Sequence, residues 1–391
     1  MTRTLRIAQV APPQEPVPPR GYGGTERVVS ALVDVLIARG HHVTTFASGD
    51  STVAGDLVPT VERALRPDGY RGDPAPWIHA TVRAVLERAA EFDVIHAHLE
   101  WANPVLALTC RVPVISTFHG RLDLPWAAGL LAGVDGLVAI SRSQAASHPE
   151  VRWTDVVHNG LPLERAAFET RRDDDLVFLG RIAPEKGILD AFEIARRTGR
   201  TLRIIAKRPV IPAEVEYHER VYLPALRAAG SLVVDFGELG EAERDVVVAH
   251  SHSLVMPGSW PEPFGLAAIE ALACGTPVVA RPVGALPEIV RDGIDGFLAH
   301  DVDGMAAAVA RVADLDRAAV RASVIERFSA ERMARHYELL YLRAVAGGVA
   351  AAGREPVPVG PGWDVEAPAL SEPPMREVGR RAARIELRTR G

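Results

Sequence analysis

Cysteine is nearly absent: two in 391 residues, Cys110 and Cys274, far apart along the chain. That spacing excludes a CxxC redox or zinc motif and the disulfide framework that stabilises many secreted domains. Both read as reduced packing residues of a cytoplasmic protein. Positive charge is not in excess either: 44 Lys and Arg stand against 50 Asp and Glu, for a formal net charge of −6. No basic stripe is present, so no nucleic acid is expected as a partner. Long apolar runs are missing as well. The opening "MTRTLRIAQVAPP" has too few apolar residues for a signal h-region. The most apolar stretches, Trp126 to Ile140 and Phe264 to Ala280, are broken by Asp135 and Glu270 before reaching the roughly 18 residues of a membrane span. Without a polybasic cluster, at most peripheral contact with a membrane is expected.

What is present is a globular composition, 48% hydrophobic and 24% charged, in a chain long enough for two domains that each bury a core. Short β-branched runs alternate with longer helical patterns, which is the rhythm of βαβ units and parallel sheets. The first set of strands is predicted at "LRIAQVA" (from Leu5), "HVTTFAS" (His42), "DVIHAH" (Asp93), "VPVISTFH" (Val112), "GLVAIS" (Gly136) and "DVVH" (Asp155). The pattern restarts at "LVFLG" (Leu176), "TLRIIA" (Thr201), "LVVDFG" (Leu232), "SLVMP" (Ser253), "PVVA" (Pro277) and "GFLA" (Gly296). The fold class is therefore α/β, with two doubly wound, Rossmann-like domains. Their expected bounds are 1–160 and 176–328, with a charged, strand-free linker over 161–175. A helix over 329–346 carries Met333, Tyr337, Leu340 and Tyr341 at helical spacing and is expected to pack back toward the first domain. Residues 347–391, rich in Pro, Gly and finally Arg, read as a poorly ordered, solvated tail.

Open α/β sheets bind ligands beyond the carboxyl ends of their strands, where helix N-termini expose free N–H groups. Four strand ends stand out. After the first strand, Gly21, Gly23 and Gly24 open a helix in a loop able to bring backbone against an anion or a sugar. A dinucleotide GxGxxG is poorly matched there, because the position that needs its last glycine is Glu26, although Asp50 after the second strand fits that reading. "STFHGRLD" places His119 at a strand end, whereas His96 and His98 read as structural. "FLGRIAPEKG" puts Arg181 and Lys186, a planar fork and a point charge, beside a helix N-terminus, a combination suited to a diphosphate. Lys207 ends the next strand, where a further phosphate contact fits.

"SWPEPFGLAAIEALACGTPVVA" is the most informative stretch. A helix from about Gly265, stopped by "GTP", carries Ala267, Glu270 and Cys274 on one stripe, and nine of the ten residues from Gly265 to Cys274 are non-polar. Glu270 thus has no polar face to belong to, and a buried carboxylate needs water or dedicated donors, for which ribose hydroxyls are suited. Glu262 lies just ahead of the helix, where the N–H groups of Phe264, Gly265 and Leu266 are unpaired.

Together "GYGGTERVV", "FHG", "HNG", "FLGRIAPEKG", "EPFGLAAIEALACGTPVVA" and "VGALPEIVRDGIDGFL" resemble the retaining glycosyltransferases of family 4, which have the GT-B fold. The resemblance spans roughly residues 5 to 345 and leans toward a subgroup acting in antibiotic and cell-surface sugar assembly. The chain departs from the family in having Ala206 and Lys207 where a Gly-rich loop is common, and Leu161 and Pro162 where an Asp follows the linker Asn-Gly. The resemblance implies a nucleotide-sugar donor, UDP-sugar ahead of GDP-sugar, held by the second domain. A sugar, glycolipid or small-molecule acceptor would lie against the first. Arg181 and Lys186 would grip the diphosphate, and Glu270 the ribose. Glu262 and the backbone of Phe264, Gly265 and Leu266 would hold the donor sugar, with His119 reaching it from the other domain. Gly23 and Gly24 would approach the phosphate or acceptor, and Leu239 would lie near the base.

No cofactor and no metal are expected: the acidic run Asp173–Asp175 precedes a strand and "DVD" at Asp301–Asp303 precedes a helix. Rival readings are a sugar-nucleotide epimerase or hydrolase on the same frame, and a non-catalytic nucleotide-sugar binding protein.

Overall fold

The computed structural model describes residues 3–348 other than Tyr22, Arg71, Arg208 and Val210. The expectation of an unordered tail falls on 347–391, nearly all of it outside the described residues. The first sheet has seven strands: β1 (Arg6–Val10), β2 (His42–Ser48), β3 (Asp56–Val61), β4 (Val94–Ala97), β5 (Val114–Phe118), β6 (Leu137–Ala139) and β7 (Asp155–Val156). Their spatial order is β3-β2-β1-β4-β5-β6-β7, and every pairing is parallel. The second sheet has six: β8 (Leu176–Arg181), β9 (Leu202–Lys207), β10 (Val233–Asp235), β11 (Ser253–Met256), β12 (Val278–Ala280) and β13 (Gly296–Leu298). They run β10-β9-β8-β11-β12-β13, again all parallel. Helices cover both faces, so β1, β4, β5 and β12 are almost wholly buried and read as continuous apolar runs rather than alternating ones. The fold is the two-domain α/β architecture that the sequence implies.

One strand has no counterpart among those the sequence predicts. β3 contains Pro59, which has no N–H for a sheet ladder; it sits at the sheet's edge, where the register with β2 also shifts between Ala47 and Ser48. An edge strand tolerates that loss, and a proline inside the run weakens its strand signal in the sequence.

The core explains how the two domains are joined. A single apolar cluster runs from Leu5, Ile7 and Leu32 of the first domain through Phe264, Ile269 and Leu272 of the second to Tyr337 and Tyr341 near the C-terminus. The last long helix, Ala330–Arg343, lies against the helix Gly24–Ala38 and so packs on the first domain. Arg39 donates to Glu338 at 2.6 and 3.0 Å and to Glu331 at 2.8 Å, while His41 meets Glu338 at 3.0 Å. The two places where the chain passes between domains are bonded to each other: Leu161 N–H donates to Phe328 at 3.1 Å, and Ala330 N–H donates to Leu161 at 2.9 Å. Residues 161–175 follow the second domain's surface, with Arg321 over the Phe168 ring at 5.4 Å and Arg203 paired to Asp173 and Asp175.

Candidate active site

The carboxyl edges of the two sheets face each other across a cavity of about 770 Å³. All twelve singled-out residues line it: Gly23, Gly24 and His119 from the first domain, and Arg181, Lys186, Lys207, Leu239, Glu262, Phe264, Gly265, Leu266 and Glu270 from the second. The cause is topological. Parallel strands with crossover helices send every strand's carboxyl end to one side, so residues just beyond different strands converge there.

Arg181 closes β8 and a turn over Pro184–Lys186 comes next, leading into the helix Ile188–Thr198. Lys186 Nζ contacts a carboxylate oxygen of Glu262, which ties the β8 loop to the segment ahead of the next site helix. Arg181 is held by Glu214 and, at 3.1 Å, by Glu185. Both cations are therefore anchored by acids, of which Glu185 and Glu262 line the cavity.

The helix after Glu262 runs Leu266–Ala273 and starts from Gly265 at φ +102, a left-handed conformation that a residue with a Cβ adopts only under strain. An added Cβ would also sit 3.1 Å from Leu286. Glu270 is buried, at 8% exposure, which rules out the reading in which it faces solvent. Its donors in this structure are guanidinium groups: Arg27 from the first domain, and Arg244 Nη1 at 3.2 Å from the second. Burial pulls Arg244 down, but Glu270 and Asp245 outweigh it and hold the guanidinium above its ordinary value. Neither arginine stands at a strand end, so neither is marked in the sequence. Both sit on helices, Gly24–Ala38 and Glu241–His250; Arg244 reaches Glu270 from a neighbouring helix of the same domain, and Arg27 reaches it only because the domains face each other.

On the first domain's wall, His119 lies just past β5, and burial pushes its imidazole down to about 3, so it is neutral. Glu100, in the loop after β4, is a site residue that the sequence reading misses. It holds a left-handed backbone at φ +51 and accepts the N–H groups of His119 and Gly120 at 3.0 and 3.1 Å. Burial raises its carboxyl to about 7. Its place just past a strand end is the signal that could have found it. Glu26, in the first turn of the glycine-loop helix, is likewise raised to about 7 by burial. Lys207 pairs with Glu15 at 3.6 Å, and burial lowers its pKa against the pull of that acid. Trp260 lies between the cations Arg121 and Lys186, at 5.1 and 5.7 Å from its ring.

The acidic runs are engaged elsewhere. Asp301 caps the helix Val302–Arg311 by accepting Gly304 N–H at 2.7 Å, and Asp174 pairs with Arg200 at 2.7 Å. No group of His, Cys, Asp and Glu suited to a metal is found among the described residues. No helix among them is long and apolar enough to cross a membrane.

The family model Glycosyltransferase Family 4 matches residues 22–165, and the model Glycosyl transferases group 1 matches residues 173–314. A glycogen synthase of Mycobacterium tuberculosis (strain H37Rv) is 31% identical over 363 residues, covering 78% of this chain and 86% of that one. The chain belongs to glycosyltransferase family 4. It is a glycosyltransferase with the GT-B fold. A phosphatidyl-myo-inositol mannosyltransferase of Mycobacterium leprae (strain TN) is 28% identical over 350 residues, 79% of this glycosyltransferase and 87% of the relative. Among solved structures, AviGT4, a glycosyltransferase involved in Avilamycin A biosynthesis, superposes with a TM-score of 0.70 at 26% identity, over 88% of this chain and 99% of its own. A sucrose-phosphate synthase from Thermosynechococcus elongatus shares the fold at a TM-score of 0.71 and 21% identity, over 88% of this chain and all of its own.

Proposed function

We propose that this glycosyltransferase moves a sugar from a nucleotide-sugar donor to a hydroxyl acceptor with retention of anomeric configuration and without a metal. The observation that carries the reading is the convergence of Arg181, Lys186, Glu262 and Glu270 on one cavity whose opposite wall carries His119. Cleaving the anomeric bond leaves negative charge on the departing diphosphate. Arg181, Lys186 and the free N–H groups at the start of the helix Leu266–Ala273 are the groups to take it up, each charged hydrogen bond contributing about 1.5–3 kcal/mol. Two fixed cations supply the charge a divalent ion would otherwise bring.

Glu262 and Glu270 accept hydroxyl hydrogens, Glu262 from the transferred sugar and Glu270 from the ribose. The loop holding Leu239 faces the base, and we place UDP-sugars ahead of GDP-sugars. His119, being neutral, offers the sugar one hydrogen-bonding ring nitrogen. The acceptor, a sugar, glycolipid or small molecule, enters from the first domain's side. It attacks on the face the diphosphate leaves, and the departing phosphate oxygen takes its proton. A double displacement would need a carboxylate beneath the anomeric carbon, a role that Glu262 and Glu270 do not have in this arrangement.

The test is a thermal-shift panel of UDP-, GDP- and ADP-sugars, then incubation of the stabilising donor with an acceptor panel, with and without EDTA. Product NMR should show the donor's anomeric configuration. Inversion overturns same-face attack, loss of activity in EDTA overturns metal independence, and free sugar with or without acceptor indicates a hydrolase.

A further inference from the structure

A continuous chain of buried hydrogen bonds starts at His119 and ends on the C-terminal helix. His119 Nε2 meets His98 Nδ1 at 2.8 Å, and His98 Nε2 meets Gln9 Oε1 at 3.0 Å. Gln9 Nε2 donates to the Tyr341 hydroxyl at 3.0 Å, which meets His96 Nδ1 at 2.6 Å. His96 Nε2 meets Thr117 Oγ1 at 2.8 Å, and Thr117 meets the Tyr337 hydroxyl at 2.9 Å. Gln9, His96, His98, Thr117, Tyr337 and Tyr341 are each at most 1% exposed, so no water competes for these bonds. Burial holds His96 and His98 well below the usual imidazole range, so both are neutral and carry one ring proton each.

A neutral imidazole donates through one nitrogen and accepts through the other, so every link sets the direction of the next. The Gln9 amide group donates to Tyr341, which leaves Gln9 Oε1 to accept from His98 Nε2–H. His98 Nδ1 is then an acceptor and takes the His119 Nε2 proton. Tyr341 correspondingly donates to His96 Nδ1. Turning the Gln9 amide over would reverse the whole run and move the His119 proton to Nδ1. His119 Nε2 is committed to His98, so Nδ1 is the ring nitrogen left for a ligand in the cleft.

We propose that Tyr341, on the C-terminal helix, is a positioning residue that acts through Gln9 and His98 to keep His119 in its Nε2–H form, presenting a bare Nδ1 to accept a hydroxyl of the transferred sugar. The sugar contact rests on the function proposed above; the tautomer does not. This gives the polar residues inside otherwise apolar strands a task beyond satisfying one another, because the run ends at a cleft residue. It also makes the helix Ala330–Arg343 part of the active-site machinery.

The experiment is histidine ring NMR on the full-length protein with 13C,15N-labelled histidine, the His119 signals being those lost in His119→Gln. The wild type should show the Nε2–H signature. Tyr341→Phe, which frees the Gln9 amide to turn, should move His119 to a mixed or Nδ1–H signature. Tyr337→Phe, which removes a buried hydroxyl from the same helix but leaves Tyr341, Gln9 and His98 bonded, should not. An Nδ1–H wild type, or an unchanged tautomer in Tyr341→Phe with near-ultraviolet circular dichroism intact, overturns the proposal.

A kinetic arm isolates the reading beneath it, using whichever of UDP-, GDP- and ADP-glucose is turned over. Tyr341→Phe should lower donor kcat/KM about fivefold to tenfold, the worth of one hydrogen bond. It should cost nothing further in the His119→Gln background. If His119→Gln alone leaves kcat/KM unchanged, the sugar contact fails, while the ring signature still decides the relay.

Discussion

Glu270 of the second domain is ion-paired to Arg27 of the first, and Arg244 of the second holds the same carboxylate oxygen at 3.2 Å. The carboxylate that reads from sequence as a ribose acceptor is thus also a bridge between domains. In the proposed function the domain contact and nucleotide binding would draw on one group, with ribose hydroxyls competing with Arg27 for it. Arg27→Ala should leave Glu270 paired to Arg244 and the fold intact. Small-angle scattering of the ligand-free variant should show a larger radius of gyration. Glu270→Gln should weaken nucleotide binding about 10- to 100-fold, as loss of one or two charged hydrogen bonds implies, measured by titration calorimetry. Unchanged affinity would remove Glu270 from the ribose site.

Lys186 and Arg181 carry the leaving-group charge in the proposed reaction, and charge that develops in the transition state is a matter of kcat more than of binding. Lys186→Ala should lower kcat about 10²- to 10³-fold with a much smaller change in donor KM. Because Glu262 would lose its cation, Lys186→Ala should also disturb the sugar end of the site, whereas Arg181→Ala should not. Comparing donors that differ only in the sugar separates the two effects.

Much of this site is legible in the sequence because parallel strands deliver their carboxyl-end residues to one place. Attention to the positions just beyond each strand finds His119, Arg181 and Lys207, and a lone acid in an apolar helix finds Glu270. Residues whose role depends on the second domain are not legible: nothing local marks Arg27, which lies 243 positions from its partner. His96 and His98 look like ordinary buried histidines, since their significance is the path from Gln9 to Tyr341, 332 positions apart. The strand β3 is hidden for a backbone reason, the missing donor of Pro59.

Glu100 offers a pH test with a defined sign. Burial raises its folded-state pKa to about 7 from an ordinary 4.5, so folding favours the protonated form. Its contribution to stability is fully present below about pH 4.5 and is lost as pH rises through about 7. His119 works the other way: with its pKa lowered to about 3 from 6.5, its contribution is present above about 6.5 and lost as pH falls toward 3. The difference between wild type and Glu100→Gln isolates the first effect, because the amide oxygen still accepts the His119 and Gly120 N–H groups. Urea unfolding should show the variant gaining on the wild type from pH 4.5 to 7.5 by on the order of 3 kcal/mol. A constant difference across that range would mean that Glu100 is not perturbed.

The domain crossing tolerates no side chain at Gly160. A Cβ there would lie 2.3 Å from the Ser329 carbonyl oxygen and 2.8 Å from Met333 Cβ, and backbone oxygen cannot rotate away as a side chain would. Relief requires Ser329 to move, yet its neighbours Phe328 and Ala330 are the residues bonded to Leu161. The strain is therefore transmitted to the start of the helix that carries Tyr337 and Tyr341 onto the first domain. Gly160→Ala should cost about 1–3 kcal/mol, the range for overpacking. At this size, with an unfolding entropy of about 2.1 cal/mol/K per residue, that corresponds to a fall in Tm of roughly 1 °C per kcal/mol. Gly129→Ala, in the helix Ala127–Leu131 with open space where its Cβ would go, should be close to neutral. If Gly160→Ala melts with the wild type, the two crossings are not the rigid joint their hydrogen bonds imply. If it melts lower and also shifts the His119 ring signals, strain at the joint reaches the cleft through the C-terminal helix.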